Sequence, residues 1–358
     1  MNRLLEVRKL GQQIWLDNLS RSLIRDGHLS RFVEQDGVAG VTTNPAIFQK
    51  AIAEDRYYET DLAALKAQAL SAEARYEALV IPDVQAACDV LRPTWQAAGG
   101  DAGYVSLEVS PALAHDEDGT VAAAHRLHAA VARDNVLIKV PATAAGVRSV
   151  ERLIADGISV NVTLMFSLAH VDAVAGAYVR GLQRRADAGK EVSGVFSVAS
   201  LFLSRVDTLV DGRLDAIGGD ALALRGRSAN ATAKRAYAAY RARFHGPEFA
   251  ELRARGARPQ YMLWASTGTK NPAYSDLLYV EPLIGAETVN TLPDATLDAL
   301  IDHGVVASTL ASDLPAAQSQ YAALEALGVD MNAVGERLQS AGLAQFEEAF
   351  GKLLAVTG

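Results

Sequence analysis

The sequence predicts an α/β chain folded as a closed (β/α)8 barrel, and three observations carry that expectation. Eight short apolar runs recur along the 358 residues, each followed by a longer Ala- and Leu-rich stretch with helical spacing. Such alternation builds a parallel sheet, and eight units close it into a barrel. No Gly-x-Gly-x-x-Gly follows the first run, so the alternative of an open doubly wound sheet with a dinucleotide site gains no support. The expected organisation is one barrel domain over 1–358 with additional helices: insertions near 50–103 and 206–258, then two or three helices over 313–356 with Gly328 and Gly342 as breaks.

The strands are expected, in order, at Gln13–Asp17, Val38–Thr43, Tyr104–Val109, Val136–Val140, Ser159–Leu164, Val195–Ser200, Tyr261–Ser266 and Thr288–Leu292. Helices fall between them, as over Asp116–Arg133 and Val147–Asp156. Active sites of such barrels lie at the C-terminal strand ends. The first strand ends in Asp17. The second ends in Thr42 and Asn44, which share a face because side chains alternate along a strand. The third carries Ser106 and Glu108 on one face, and the fourth carries Lys139. In the fifth, Asn161 and Thr163 point inward while Val160, Val162 and Leu164 pack outward. The sixth ends in Ser200 and the seventh in Ser266. Any one of these is ordinary; an Asn before Pro is usually a turn. A ring of them at one level is expensive as packing and sensible as a catalytic mouth.

Lys139 sits in the apolar run Val136-Leu137-Ile138-Lys139-Val140-Pro141. A lysine there either snorkels to water or is held dry. An ammonium held dry tends to lose its proton, and a neutral amine attacks a carbonyl to form a Schiff base. Glu108 would shuttle the proton, directly or through a water held by Thr163. Asp17 would take the proton of a hydroxyl two carbons from the imine carbon and so break the C–C bond. Asn44, Asn161 and Ser200 would hold the donor's hydroxyl groups. Beyond strands six and seven, Arg205, Ser266 and Lys270 compose an anion site, the alternative being surface charge.

These segments resemble transaldolase. Trp15-Leu16-Asp17, Gly40-Val41-Thr42-Thr43-Asn44-Pro45, Ser106-Leu107-Glu108-Val109, Leu137-Ile138-Lys139-Val140-Pro141, Asn161-Val162-Thr163-Leu164-Met165-Phe166-Ser167 and Trp264-Ala265-Ser266-Thr267 follow the family's order. The Thr-Thr-Asn-Pro and Asn-x-Thr-Leu-x-Phe-Ser signatures are the specific ones. The resemblance implies a TIM barrel of the class I aldolase type. It implies transfer of a dihydroxyacetone unit from sedoheptulose 7-phosphate to glyceraldehyde 3-phosphate, giving erythrose 4-phosphate and fructose 6-phosphate in the pentose phosphate pathway. It makes Lys139 the Schiff-base lysine, has Glu108 and Thr163 handle the catalytic water, and makes Asp17 the acid/base. Thr42, Asn44, Asn161 and Ser200 are expected to bind the donor, and Arg205 and Ser266 its phosphate. Many members place an arginine at the position of Gly268; Lys270 is expected to replace it. The length of 206–258 is similar to the long subgroup of actinobacteria and cyanobacteria, here without the glucose-6-phosphate isomerase domain sometimes fused to it.

Other features are expected to be structural. The net charge of −8 argues against nucleic acid and anionic membranes as partners. The basic run Ala229–Phe244 is expected to be a solvated helix face. His125 and His128 lack a third metal ligand, and Cys88, the single cysteine, suits a small core position in a reducing compartment. The chain shows no signal core and no apolar run of about 18 residues, so a cytoplasmic monomer or homodimer acting on sugar phosphates, without metal or cofactor, is expected. Three rivals remain: a simple Schiff-base aldolase, a non-catalytic sugar-phosphate-binding barrel, and a metal-dependent isomerase.

Overall fold

A computed structural model describes residues 2–358. Eight parallel strands close into a barrel in chain order. They are β1 (Gln12–Leu16), β2 (Gly40–Val41), β3 (Tyr104–Glu108), β4 (Val136–Pro141), β5 (Val160–Met165), β6 (Ser197–Phe202), β7 (Tyr261–Ala265) and β8 (Thr288–Leu292). β8 returns to pair with β1 over five residues, from Gln12 opposite Thr288 to Leu16 opposite Leu292. Both faces of the sheet are buried, which is why the strands read as near-continuous apolar runs. At the N-terminal ends the interior is aromatic: Tyr104 stacks on Phe196 at 4.5 Å, and Tyr261 meets Phe196 edge-on at 5.7 Å.

Helices start where polar residues at strand ends cap them. Asn44 Oδ1 accepts from the backbone N–H groups of Ala46 and Ile47, with Pro45 opening the helix Pro45–Glu54. Thr143 caps Ala144–Asp156, and Ser167 caps Leu168–Asp187. The 50–103 region is helical, ending in the long helix Ala72–Ala97. Asp116 caps Glu117–Val131, where His125 reaches Asp156 at 2.9 Å. Cys88 is fully buried. No helix among the described residues is long and apolar enough to cross a membrane.

Five expectations need correction, four of them in the barrel and its last helix. β2 is only two residues long: before it the Val38 N–H is tied back to the Phe32 carbonyl, and after it the Thr43 carbonyl accepts from Lys139 Nζ (3.0 Å). β6 runs two residues later than expected: the Ser159 hydroxyl takes the Phe196 N–H, and the apolar run continues through Phe202. Leu164 does not simply alternate outward: it has φ +59°, and the β5–β6 register shifts between Val162 and Met165. Gly342 breaks no helix. It lies inside the last helix, Met331–Thr357, where its missing Cβ admits Leu164 (3.0 Å from an ideal Cβ). Gly328, at φ +76°, does separate that helix from Leu314–Ala326.

The basic run is also not a simple solvated face. In the helix Ser228–Phe244, Lys234 donates to the Thr309 and Ser312 carbonyls, and Arg235 lies 4.1 Å over the Tyr321 ring. Arg243 pairs with Asp172 and Glu248. The cations mostly fasten this insertion to the rest of the chain.

Candidate active site

Strand register sets the site. Glu108 of β3 lies opposite Lys139 of β4, and Lys139 lies opposite Asn161 of β5, so the three stand at one level on the inner face. Lys139 is 5% exposed. Its Nζ donates to the Thr43 carbonyl at 3.0 Å and stands 3.2 Å from Glu108 Oε2. The latter contact has ion-pair distance without hydrogen-bond geometry, leaving Glu108 Oε2 buried and without a hydrogen-bond partner among the described residues. Thr163 Oγ1 is likewise buried and unpartnered. Two orphaned polar atoms beside one buried amine are costly to keep unless chemistry uses them.

Asp17 follows β1, where the Thr42 hydroxyl donates to its Oδ1 at 2.7 Å and the Thr291 hydroxyl backs Thr42 at 2.6 Å. Burial pushes the Asp17 carboxyl above its ordinary value, against the pull of Lys139 and the Thr42 bond. Burial does the same to Glu108, opposed by Lys139. A chain of bonds crosses the interior beside Lys139: Asn161 donates to Ser106 Oγ at 3.0 Å and accepts from Ser200 Oγ at 2.7 Å.

Arg205 is the second residue of the helix Ser204–Ile217. Burial pulls its guanidinium below the ordinary value, with no carboxylate beside it to hold it up. Ser266, just past β7, has φ +54°, and its hydroxyl lies 2.8 Å from that of Ser204. Lys270 stands exposed on the loop beyond.

One cavity of about 290 Å³ joins these parts. Asp17, Thr42, Asn44, Lys139, Thr163 and Ser200 line it, and so do Arg205, Ser266 and Lys270. Glu108 and Asn161 are not among its lining residues; they touch it through Lys139 and Ser200, which are. Asn44 both caps a helix and lines the cavity, so the turn reading and the site reading of that residue coexist. The arrangement places an amine backed by Glu108, the Asp17 carboxyl and two cations without carboxylate partners among the described residues around a space the size of a sugar phosphate.

Sequence reasoning missed the lining from the last helix. Gln345, Phe346 and Ala349 close one side of the cavity, and the Phe346 ring centre lies 5.7 Å from Lys139 Nζ. That helix is held over the mouth by Gln339, which donates to the Ala142 and Leu164 carbonyls. The only local signal was its glycines: at Gly335 an added Cβ would come within 2.5 Å of Ser167. Phe202, Thr291 and Pro293 also line the cavity and were not anticipated.

Comparison with known proteins gives one family. The family model described as transaldolase/fructose-6-phosphate aldolase matches residues 14–357. A transaldolase of Thiobacillus denitrificans is 55% identical over the full length of both chains. One of Neisseria gonorrhoeae is 53% identical over 99% of each. A transaldolase of Mycobacterium ulcerans is 47% identical over 97% of this chain and 94% of its own.

Proposed function

The chain belongs to the transaldolase/fructose-6-phosphate aldolase family, and from that premise we propose how its own residues carry the transaldolase reaction. The observation that carries the proposal is the buried Lys139–Glu108 pair, in register on adjacent strands, whose lysine lines a cavity that the cations Arg205 and Lys270 also line. Glu108 takes the proton that the Lys139 amine must lose. The amine then adds to the ketose C2 carbonyl. The carbinolamine expels water, with a water held between Glu108 and Thr163 moving the protons, and leaves an iminium.

Asp17 accepts the proton of the C4 hydroxyl. The C3–C4 bond breaks, its electron pair flows to the iminium, and an aldose phosphate departs as the aldehyde. What stays on Lys139 is the enamine of dihydroxyacetone. The acceptor aldehyde enters, the enamine carbon forms the new C–C bond, Asp17 returns the proton to the new hydroxyl, and hydrolysis frees the amine. The iminium is the electron sink, so the mechanism needs no metal or cofactor. Asn44 and Ser200, the latter steadied by Asn161, orient the donor's hydroxyls. Arg205, Ser266 and Lys270 take the phosphate. With sedoheptulose 7-phosphate as donor and glyceraldehyde 3-phosphate as acceptor, the products are erythrose 4-phosphate and fructose 6-phosphate. We further read the chain as one cytoplasmic domain, a monomer or homodimer.

Borohydride reduction in the presence of fructose 6-phosphate tests this. The expected result is a dihydroxyacetone adduct on the peptide containing Lys139, and its absence would overturn the mechanism. Steady-state formation of glyceraldehyde 3-phosphate as fast without erythrose 4-phosphate as with it, accompanied by free dihydroxyacetone, would replace the transferase by a simple aldolase.

A further inference from the structure

The helix Ser204–Ile217 carries, after Arg205, two buried carboxylates one turn apart, Asp207 and Asp211. Each spends its two oxygens on the same two segments. Asp207 Oδ1 accepts the Ala229 N–H at 2.8 Å, and its Oδ2 accepts the Tyr279 hydroxyl at 3.0 Å. Asp211 Oδ1 accepts the Gly226 N–H at 2.9 Å, and its Oδ2 accepts the Tyr274 hydroxyl at 2.7 Å. Gly226, at φ +68°, has no Cβ to strike the Tyr274 ring, which would lie 2.8 Å away. Tyr274 and Tyr279 flank the part of the β7–β8 loop that follows Lys270, a loop with no helix or strand until the short turn at Glu281–Leu283.

We propose that Asp211 with Tyr274, and Asp207 with Tyr279, are positioning pairs that set the Lys270 ammonium against the substrate phosphate by strapping its loop to the helix that carries Arg205. Two like charges at this spacing repel, and burying them is costly; burial and the neighbouring Asp211 raise the Asp207 carboxyl to about 6. Closing a loop by packing alone would need neither charge. The strap ties both cations of the phosphate site to one rigid element, and it uses the 206–258 insertion as its anchor. A flexible lysine on an untethered loop would lose entropy at each binding event.

The inference rests on Lys270 binding phosphate, and a double-mutant cycle separates the two. Lys270→Ala, Tyr274→Phe and the double variant are assayed with erythrose 4-phosphate and with unphosphorylated erythrose as acceptor. Tyr274 is half-buried, so Phe keeps the ring against Gly226; Tyr279→Phe is the second variant. Tyr274→Phe should raise the KM for erythrose 4-phosphate roughly five-fold with kcat within about two-fold, and leave the KM for erythrose unmoved. In the Lys270→Ala background it should add less than about two-fold. An undiminished effect there, or parallel rises for both acceptors, makes the tyrosines merely structural and overturns the proposal. An unchanged KM in Lys270→Ala itself overturns the phosphate reading and the proposal with it.

Discussion

Asp17 is held between opposing forces. Burial raises its pKa, while Lys139 and the Thr42 hydroxyl lower it. As the base of C–C cleavage it must be ionised, so activity falls as pH drops through its raised pKa. Thr42→Val removes one lowering influence, and the acid limb of the kcat/KM profile should move to higher pH; an unmoved limb assigns that limb to another group. Lys139→Ala should abolish turnover and keep the native far-UV spectrum, because a mouth residue contributes little packing. It leaves Glu108 buried without its countercharge. A carboxyl whose folded pKa lies above its unfolded one gives stability at low pH that is lost as pH rises through the folded value. The Tm of the variant should therefore fall more steeply than that of the parent as pH is raised from acid to neutral. At this scale a polar side chain that interrupts an apolar strand is legible in the sequence, and Lys139 and Thr163 line the cavity while Asn161 does not. Phe346 was not legible: an apolar residue on an amphipathic helix carries no local mark that it faces a site and not the core.

The last helix, Met331–Thr357, shows what elements decide. Two of its glycines are expected to behave oppositely. Gly351→Ala meets nothing within 4 Å and should stabilise by about 0.5–1 kcal/mol through helix propensity. Gly335→Ala drives a methyl into Ser167, the cap of the neighbouring helix; it should cost about 1–3 kcal/mol and raise the KM for sugar phosphates by lifting Phe346 off the mouth. Thermal melts and steady-state kinetics on the pair check both directions. All eight strands were readable within about two residues, because strongly patterned segments announce their type while boundaries stay uncertain. Gly342 misled because a glycine inside a helix can serve close packing as well as termination. The bulge at Leu164 gave no warning, since its neighbours continue the β-branched and apolar pattern of a regular strand.

At the scale of the whole molecule, the ends of the chain are tied into the same body. β8 pairs with β1, and the Thr357 hydroxyl and carbonyl bond to Ala72 and Arg75 of the long helix Ala72–Ala97. One cooperative unit is expected, so urea unfolding followed by tryptophan fluorescence, with Trp15 in β1 and Trp264 in β7, should coincide with loss of helical circular dichroism. Two separated transitions would divide the chain into independent domains. The seam between β1 and β8 also bears on how the barrel is reached. Gln12 and Thr288 are 276 residues apart, whereas Asn161 and Ser200 on adjacent strands are separated by 39. Bringing the seam together costs roughly 2 kcal/mol more chain entropy than that nearer pairing, so non-local closure comes late and slows folding. Until the ring shuts, β1 and β8 are open edges lined with unpaired backbone groups, and crowding of half-folded chains at those two edges is the route by which this protein would aggregate.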